Sequence, residues 1–433
     1  MKKCISVLLT VVILLTTAPV IESQAAAPSH IPAVYITTDS GKDITSKTKY
    51  VAGKFSMAVP KTSRYEKVAQ TDMTIKGRGN STWAMPKKPY RIKFNKKISL
   101  LGLPKSKDWI LLANHADRSL IRNTVAFEAA RETGLGFVPT AIPVSLYVNG
   151  AYKGVYTLGD AVEVQPGRVE LGSNDAKSKK DVGFLLEVGG AKKDTNAFKK
   201  EYFHTNLLSY VLVHSPKYGN DLTPAQFKYI GGYFMDAEKA IMNLDGYEDY
   251  IDVDSFVDFF LHTELFFNTD STFYRSCYIS KDPGGKLKMA AVWDFDSAIG
   301  NYSGDLDEVG KYYNYNRFTS VHGESHYIKT KSWMQYLLKD PAFCSKVKKR
   351  WNEIGGKMLK RALSTAEKYR TTLAVPAKSN FQVWQVLGSG QRIRGEANTL
   401  SIPTYNGQID YIEDFLRTRK IWLDYAIQHL PLT

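Results

Sequence analysis

Short runs rich in β-branched and aromatic residues dominate the first third of the sequence. Such runs are typical of β-strands, and they occur at residues 33–38 (AVYITT), 90–94 (YRIKF) and 145–148 (SLYV). Asn149-Gly150 follows the third run and precedes another apolar run at residues 152–158. Because an Asn-Gly pair between two strand patterns favours a tight turn, these residues predict a β-hairpin.

Helical periodicity becomes more frequent further along the chain. Residues 119–131 predict one helix among the strands, and Thr223 with Gln226 forms a capping-box pattern that opens another. Residues 254–267 predict a third. Near the C-terminus, one apolar helical stripe is formed by Ile409, Ile412, Leu416, Leu423, Ile427 and Leu430. We therefore expect an α+β fold with two lobes, a β-rich N-terminal lobe and a mainly helical C-terminal lobe.

The composition is that of a globular protein with a basic surface. Of 433 residues, 43% are hydrophobic and 23% are charged, which excludes wholesale disorder, and the net charge is +15. Lys2 and Lys3 precede an apolar run at residues 5–21 and then small residues, a pattern that predicts a signal peptide at residues 1–25 and export. An N-terminal membrane anchor is the alternative. No later stretch is apolar enough to span a bilayer, so we expect no stable membrane insertion.

The excess of positive charge suggests anionic partners. Anionic wall polymers, acidic proteins and phosphorylated ligands are all compatible with it. No basic helix, aromatic RNA-binding strand or zinc finger is apparent, so nucleic acid is not expected as a partner. Outside the leader, Cys277 and Cys344 could pair with each other, but two cysteines and scattered histidines do not predict a zinc site.

The most informative stretch reads acid, hairpin, acid. Asp270 follows a long apolar helix pattern, and strand patterns at residues 278–280 and 287–292 flank an Asp-Pro-Gly-Gly turn that leads to Asp294 and Asp296. Because a hairpin brings its two ends together, we expect these aspartates to lie side by side. Adjacent carboxylates repel unless a cation neutralises them, which suggests Mg²⁺ or Mn²⁺ and phosphoryl transfer to a hydroxyl. The alternative is structural, with Asp270 capping a turn and the other two pairing with lysines.

A basic, glycine-containing segment lies upstream of these acids. Residues 76–83 (KGRGNSTW) predict a turn with accessible amides, and residues 87–93 (KKPYRIK) predict a strand rich in cations. Glycines let backbone N–H groups approach phosphate oxygens, and a strand cation supplies counter-charge. Strand alternation places Arg91 and Lys93 on one face. The candidate nucleotide-binding residues of this segment are Arg78, Asn80, Lys88, Arg91 and Lys93.

These segments resemble a known family. The motifs are RGNSTW with KPYRIK, then DRSLIRN at residues 117–123, YVNG with GVYTL, and WDFD at residues 293–296 with Gly300. They look like the motifs of the spore coat protein H (CotH) kinase family. The resemblance covers about residues 31–351. It implies an atypical secreted protein kinase that uses ATP and a divalent cation to phosphorylate serine or threonine, best known for the maturation of spore coat proteins.

The resemblance also implies roles for single residues. Asp270 matches the catalytic-loop aspartate, Asp294 matches the metal-binding aspartate, and Asp296 is a second metal neighbour. Glu128 is the candidate helix carboxylate that would pair with the phosphate-binding cation. The family usually has an asparagine near Ser276, and its absence puts the second metal position in question because a serine is a poorer Mg²⁺ ligand.

The sequence thus predicts a signal peptide, a nucleotide-binding lobe at residues 26–165 and a lobe with the catalytic and metal-binding aspartates at residues 166–433. The leading hypothesis is a secreted or surface-associated metal-dependent kinase acting on Ser/Thr of extracellular, cell-wall or spore-coat proteins. The alternative is a catalytically inactive coat or surface scaffold, or an adhesin, on the same fold. A hydrolase built on the paired aspartates is a third hypothesis, but it lacks a nucleophile motif.

Overall fold

The structure is a computed structural model. It describes residues 30–172, 180–189, 202–207, 210–217, 221–269, 273, 275–301, 316–320, 332–393, 396 and 398–432. The predicted signal peptide and Asp270 lie outside the described residues. Both strands and helices are present in quantity, which confirms the α+β class.

Seven strands near the N-terminus form a closed barrel in the order β1-β2-β3-β4-β5-β7-β6. All neighbours are antiparallel except β1 and β6, whose parallel pairing closes the barrel. The strands are β1 Ala33–Thr38, β2 Val51–Ala58, β3 Val68–Gly77, β4 Tyr90–Ile98, β5 Ser106–Leu112, β6 Ala141–Val148 and β7 Ala151–Gly159.

Alternation along these strands fills the barrel. Phe55, Ile75 and Ile92 are fully buried, and Phe55 packs edge-on against Phe94 with ring centroids 5.1 Å apart. Asn149 and Gly150 join β6 to β7 and both have positive φ, 50° and 79°. The predicted Asn-Gly hairpin is therefore confirmed.

A second, five-stranded antiparallel sheet follows, in the order β12-β11-β8-β10-β9. The hairpin predicted between Asp270 and Asp294 forms its β11 and β12, and the hydrogen-bonded Asp-Pro-Gly-Gly turn joins them. The strands are β8 Phe184–Val188, β9 Tyr202–Phe203, β10 Val211–Ser215, β11 Cys277–Lys281 and β12 Lys288–Ala291.

Helices pack around this sheet and against the barrel. The described helices are α1 Ser81–Ala84, α2 Arg122–Ala130, α3 Pro224–Asn243, α4 Val253–Leu265, α5 Trp333–Leu337, α6 Pro341–Thr372, α7 Ala374–Val383 and α8 Tyr405–Gln428, with short 3-10 turns at Asp39–Gly41 and Tyr247–Asp249. The predicted capping box of α3 is confirmed, because Thr223 and Gln226 cap each other reciprocally. The sequence analysis did not anticipate α6, the longest of these helices.

The helix α4 runs through the centre of the helical part and is buried from Phe256 onwards. Its Glu264 is fully buried and forms an ion pair with Arg419 of α8 at 2.9 Å. Cys277 and Cys344 are both buried free thiols, so they do not pair with each other. Within the ranges given above, no helix combines the length and apolar character needed to cross a membrane.

Candidate functional site

Asp294 lies where the end of α4, the start of β11 and the end of β12 meet. Asn268 donates from Nδ2 to the backbone oxygen of Asp294 at 3.1 Å, and Ser276 donates from Oγ to its Oδ2 at 3.3 Å. Asn268 and Ser276 flank Asp270 in the sequence. Asn268 and Ser276, which precede and follow Asp270 in the sequence, thus both contact Asp294, whereas the predicted proximity of Asp270 itself stays a prediction because that residue lies outside the described residues.

The backbone at this junction is conformationally unusual. Phe267, Ser276 and Asp294 all have positive φ, 48°, 53° and 65° respectively. Non-glycine residues seldom occupy this left-handed region, and such residues cluster at functional sites where the surroundings hold them in place. Aspartate tolerates it better than phenylalanine, since its short polar side chain can bond locally. The junction is thus held in a fixed, strained geometry around Asp294.

Arg78 extends from the barrel towards the same junction. Its guanidinium lies 5.8 Å from the ring centroid of Trp293, and its backbone N–H donates to Pro89 at 3.1 Å, which fixes the turn after β3. Burial lowers the pKa of Arg78, while the charge of Asp294 raises it. The Arg78 side chain thus lies over the ring of Trp293, the residue before Asp294, and is within the electrostatic influence of the Asp294 carboxylate.

The glycines of the turn serve packing. A Cβ on Gly77 would lie 2.2 Å from the ring of Trp83, and Gly79 has φ +82° with Thr82 Oγ1 2.1 Å from any added Cβ. Glycine is therefore required at both positions. Asn80 is exposed at the start of α1, and its side chain makes no capping hydrogen bond.

The motif at residues 117–123 holds the WDFD segment in position. Asn123 accepts a hydrogen bond from the backbone N–H of Phe295 at 2.8 Å, and Arg122 donates to the backbone oxygen of Ala298 at 3.2 Å. Arg122 is in turn fixed by a buried ion pair with Asp117 at 2.5 Å. This motif therefore supports the segment that carries Asp294 without contacting its carboxylate.

The candidate cations at residues 88–93 differ in the hydrogen bonds and ion pairs that they form. Lys88 donates to the backbone oxygen of Trp83 at 2.8 Å. Arg91 forms ion pairs with Asp108 at 2.9 Å and with Glu163. Burial opposes the charge of Arg91, but the attraction of Glu163 and Asp108 outweighs it and raises the pKa of Arg91. Lys93 is exposed on the outside of the barrel.

Glu128 forms no ion pair with Lys88, Arg91 or Lys93. It pairs with Arg131 at 3.1 Å and with Arg361 of α6 at 3.4 Å, because its face of α2 is turned towards α6. The carboxylates that do accompany Arg91 are Asp108 and Glu163. Neither was singled out from the sequence, and only the pairing of β4 with β5 and the course of the chain after β7 bring them there.

Glu187 of β8 is a second acidic residue near Arg78 that the sequence did not suggest. It lies opposite Tyr278 in the β8–β11 register and pairs with His214 at 2.5 Å. Burial raises the pKa of Tyr278 well above its usual value, and the negative charge of Glu187 is the second largest cause of this increase. Residues of β8, β10 and β11 thus form a polar wall beside Arg78.

Asp296 is nearly buried and supports the turn that follows it. Its Oδ1 accepts from Ser297 Oγ at 3.1 Å, and its backbone oxygen accepts from Asn301 at 2.8 Å. The described residues contain no group of three or more His, Cys, Asp or Glu side chains that could enclose a metal ion. Magnesium in kinases, however, needs only one or two carboxylates in addition to the substrate phosphates, and the carboxylate of Asp294 suits that need.

The sequence was compared with models of protein families. A model described as CotH kinase protein matches residues 75–423, which is most of the chain and includes every site residue described above. The match begins later and ends later than the resemblance recognised in the sequence, which covered about residues 31–351. No curated protein matches the sequence.

Proposed function

This chain belongs to the CotH kinase family, and on that premise we propose that it transfers the γ-phosphate of ATP to serine or threonine hydroxyls of a protein outside the cell. Family membership suggests kinase activity and implies ATP and a protein substrate. The observation that carries the proposal is that Asn268 and Ser276, on either side of Asp270, both contact Asp294. Two aspartates required by phosphoryl transfer would then share one site.

Each site residue has a distinct role in this proposal. Asp270 orients the acceptor hydroxyl and accepts its proton, and Asp294 holds the divalent cation, with Asp296 as a second neighbour. Mg²⁺ or Mn²⁺, when bound, supplies the positive charge that neutralises the β- and γ-phosphates. Arg78 would provide a second positive charge, because its guanidinium lies over Trp293, the residue before Asp294. The barrel and the helical part would act as the two lobes of a kinase-like fold.

The active form would be the exported chain. We propose that residues 1–25 are removed and that the protein acts at the cell surface, the wall or the spore coat, on Ser/Thr-containing proteins there. The family is associated with the spore coat, which supports this placement. Mass spectrometry of secreted protein should find an N-terminus between Ala25 and Pro28. Soluble protein that retains Met1 would refute the cleavage.

Two nearly isosteric variants test the chemistry. With labelled ATP, Mg²⁺ or Mn²⁺ and a hydroxyl-rich coat or wall protein, Asp270→Asn should retain nucleotide binding but lose transfer by a factor of about 10² to 10⁴. Asp294→Asn should also lose metal-dependent nucleotide binding. Asp254→Asn is the matched control, because Asp254 is an exposed carboxylate of α4 paired with Lys346, and it should behave like the wild type.

The same assay has two contrary outcomes. If both aspartate variants transfer phosphate at the wild-type rate, the proposed site is wrong. If the wild type binds nucleotide but transfers nothing to any protein, the chain is an inactive scaffold. The presence of Ser276, rather than an asparagine, beside Asp294 favours that second reading.

A further inference from the structure

Positive charge is concentrated in the barrel. Residues 30–172 contain 22 Lys and Arg but 11 Asp and Glu, so they carry +11 of the +15 of the whole chain. The remaining residues are nearly balanced. An unequal distribution of this kind creates a local positive potential that attracts anionic partners.

Part of this charge forms one defined surface on β3 and β4. Lys76 lies directly opposite Arg91 in the antiparallel register, and Lys93 is two residues further along β4. Residues that alternate with them, Ile75 and Ile92, are fully buried in the barrel. Lys76, Arg91 and Lys93 therefore share the outer face of the barrel, and we refer to them as the β3–β4 basic face.

The charges of this face are only partly compensated. Arg91 forms ion pairs with Asp108 and Glu163. In the described part of the chain, Lys76 and Lys93 have no carboxylate within ion-pair distance. Burial and repulsion by Arg91 and Lys93 lower the pKa of Lys76, although Asp108 partly offsets this. Like charges held together cost free energy, and an anionic partner would relieve that cost.

The basic face is continuous with the proposed active site. The strand β3 ends at Gly77, and the next residue is Arg78, whose guanidinium lies over Trp293, the residue before Asp294. Lys47 adds a further cation here, because its Nζ donates to the backbone oxygen of Gly79 at 2.9 Å. A peptide bound along the face would therefore extend towards Arg78.

We propose that the β3–β4 basic face binds an acidic segment of the protein substrate and thereby presents a neighbouring serine or threonine to the proposed active site beside Asp294. This inference rests on the proposed kinase function, whose site lies at the end of the face. Glutamate and aspartate side chains of an extended segment would pair with Lys76, whose ammonium lies over the ring of Tyr50, and with Lys93, since neither lysine has a carboxylate partner among the described residues. A protein segment fits better than a wall polymer, because the face leads to a site proposed for a protein hydroxyl.

Binding can be measured without catalysis. The probe is a fluorescent peptide rich in Glu and Asp with one serine, compared by anisotropy with the same peptide carrying Gln and Asn, in the absence of ATP. The Lys76→Gln/Lys93→Gln variant should bind the acidic peptide about five- to twentyfold more weakly, since each exposed ion pair contributes a factor of a few. Lys357→Gln/Lys360→Gln, which removes two exposed lysines of α6, should stay within about twofold of the wild type.

The outcomes separate this inference from the proposed function. Equal affinity of the wild type for both peptides, or equal loss in both lysine variants, would overturn it. So would weakened binding of polyphosphate with unchanged binding of the acidic peptide, which would indicate an anionic polymer as the partner. Reduced ATP affinity of Lys76→Gln/Lys93→Gln would instead assign these lysines to the nucleotide. If the wild type binds the acidic peptide but transfers no phosphate, the kinase proposal fails while the docking surface stands.

Discussion

The side chain of Asn123, in the first turn of α2, accepts a hydrogen bond from the backbone N–H of Phe295 at 2.8 Å. Phe295 directly follows Asp294, so this bond fixes the backbone beside the proposed metal-binding carboxylate. Two motifs whose bonded residues, Asn123 and Phe295, are 172 positions apart in the sequence thus form one structural unit.

Removing this bond should lower activity because it loosens the backbone that positions Asp294, in addition to lowering stability. Asn123→Ala leaves the buried Phe295 N–H without its acceptor, which costs about 1–3 kcal/mol of unfolding free energy. We expect phosphate transfer to fall further than this loss of stability explains, measured below the melting temperature at saturating ATP. Asn95→Ala, at an exposed position of β4, should change neither quantity. Normal transfer by a folded Asn123→Ala protein would show that the bond does not position Asp294.

The buried Glu264–Arg419 pair should be the main link between α4 and α8. Glu264 also accepts hydrogen bonds from Thr319 and Ser320, and neither partner of the pair is solvent-exposed. Glu264→Gln should therefore destabilise the fold by about 3–5 kcal/mol in urea unfolding, because it removes the buried negative charge that pairs with the Arg419 guanidinium. Asp254→Asn, which breaks an exposed pair, should leave the midpoint unchanged. Equal midpoints for both variants would contradict this.

His262 should make stability depend on pH. It is fully buried, its ring lies 2.8 Å from the backbone oxygen of Ala126, and burial lowers the pKa of His262 to about 4. Between pH 6.5 and 4 the unfolded chain binds a proton that the folded chain does not. Acidification through this window should therefore remove about 3 kcal/mol of stability for this residue.

Comparison with a variant isolates this contribution. Burial also lowers the pKa of His115 to about 4, so the wild type loses stability at two histidines in the same window. His262→Gln should have a shallower dependence of unfolding free energy on pH than the wild type, whereas His429→Gln, at an exposed histidine, should retain the wild-type slope. Parallel curves for the wild type and His262→Gln would contradict the prediction, because they would show that His262 binds its proton equally well in the folded and the unfolded chain.

Features set by local chemistry could be predicted from the sequence. Asn149-Gly150 specifies its turn because both residues tolerate positive φ, and Thr223 with Gln226 specifies the start of α3 because each satisfies the other's backbone. The β11–β12 hairpin followed in the same way from its Asp-Pro-Gly-Gly turn.

Features that depend on contacts distant in the sequence could not be predicted. The barrel closes through the parallel pairing of β1 with β6, whose residues Ala33 and Ser145 lie more than 100 positions apart. The pairing of Arg91 with Glu163 likewise depends on where the chain runs after β7. The long helix α6 is different, because its buried stripe, which includes Phe343, Val347, Trp351 and Met358, has helical spacing and could have been predicted from the sequence.

Arg78, rather than Lys88 before β4, should determine nucleotide affinity. Arg78 lies over Trp293, the residue before Asp294, whereas the ammonium of Lys88 is bound to the backbone oxygen of Trp83. Arg78→Met should weaken ATP binding in Mg²⁺ by about tenfold to a hundredfold, as expected when hydrogen bonds from a charged group to phosphate are lost. Titration calorimetry or a fluorescent nucleotide would measure it.

Lys88→Met is the matched variant, because it removes one positive charge from the same region, and it should weaken ATP binding by less than about threefold. Arg78→Lys should fall between Arg78→Met and the wild type, since it keeps the charge but loses the planar group over Trp293. Thermal melts would confirm that all three variants are folded. If Lys88→Met loses nucleotide binding while Arg78→Met binds normally, the phosphates lie along β4, and the role given to Arg78 is wrong.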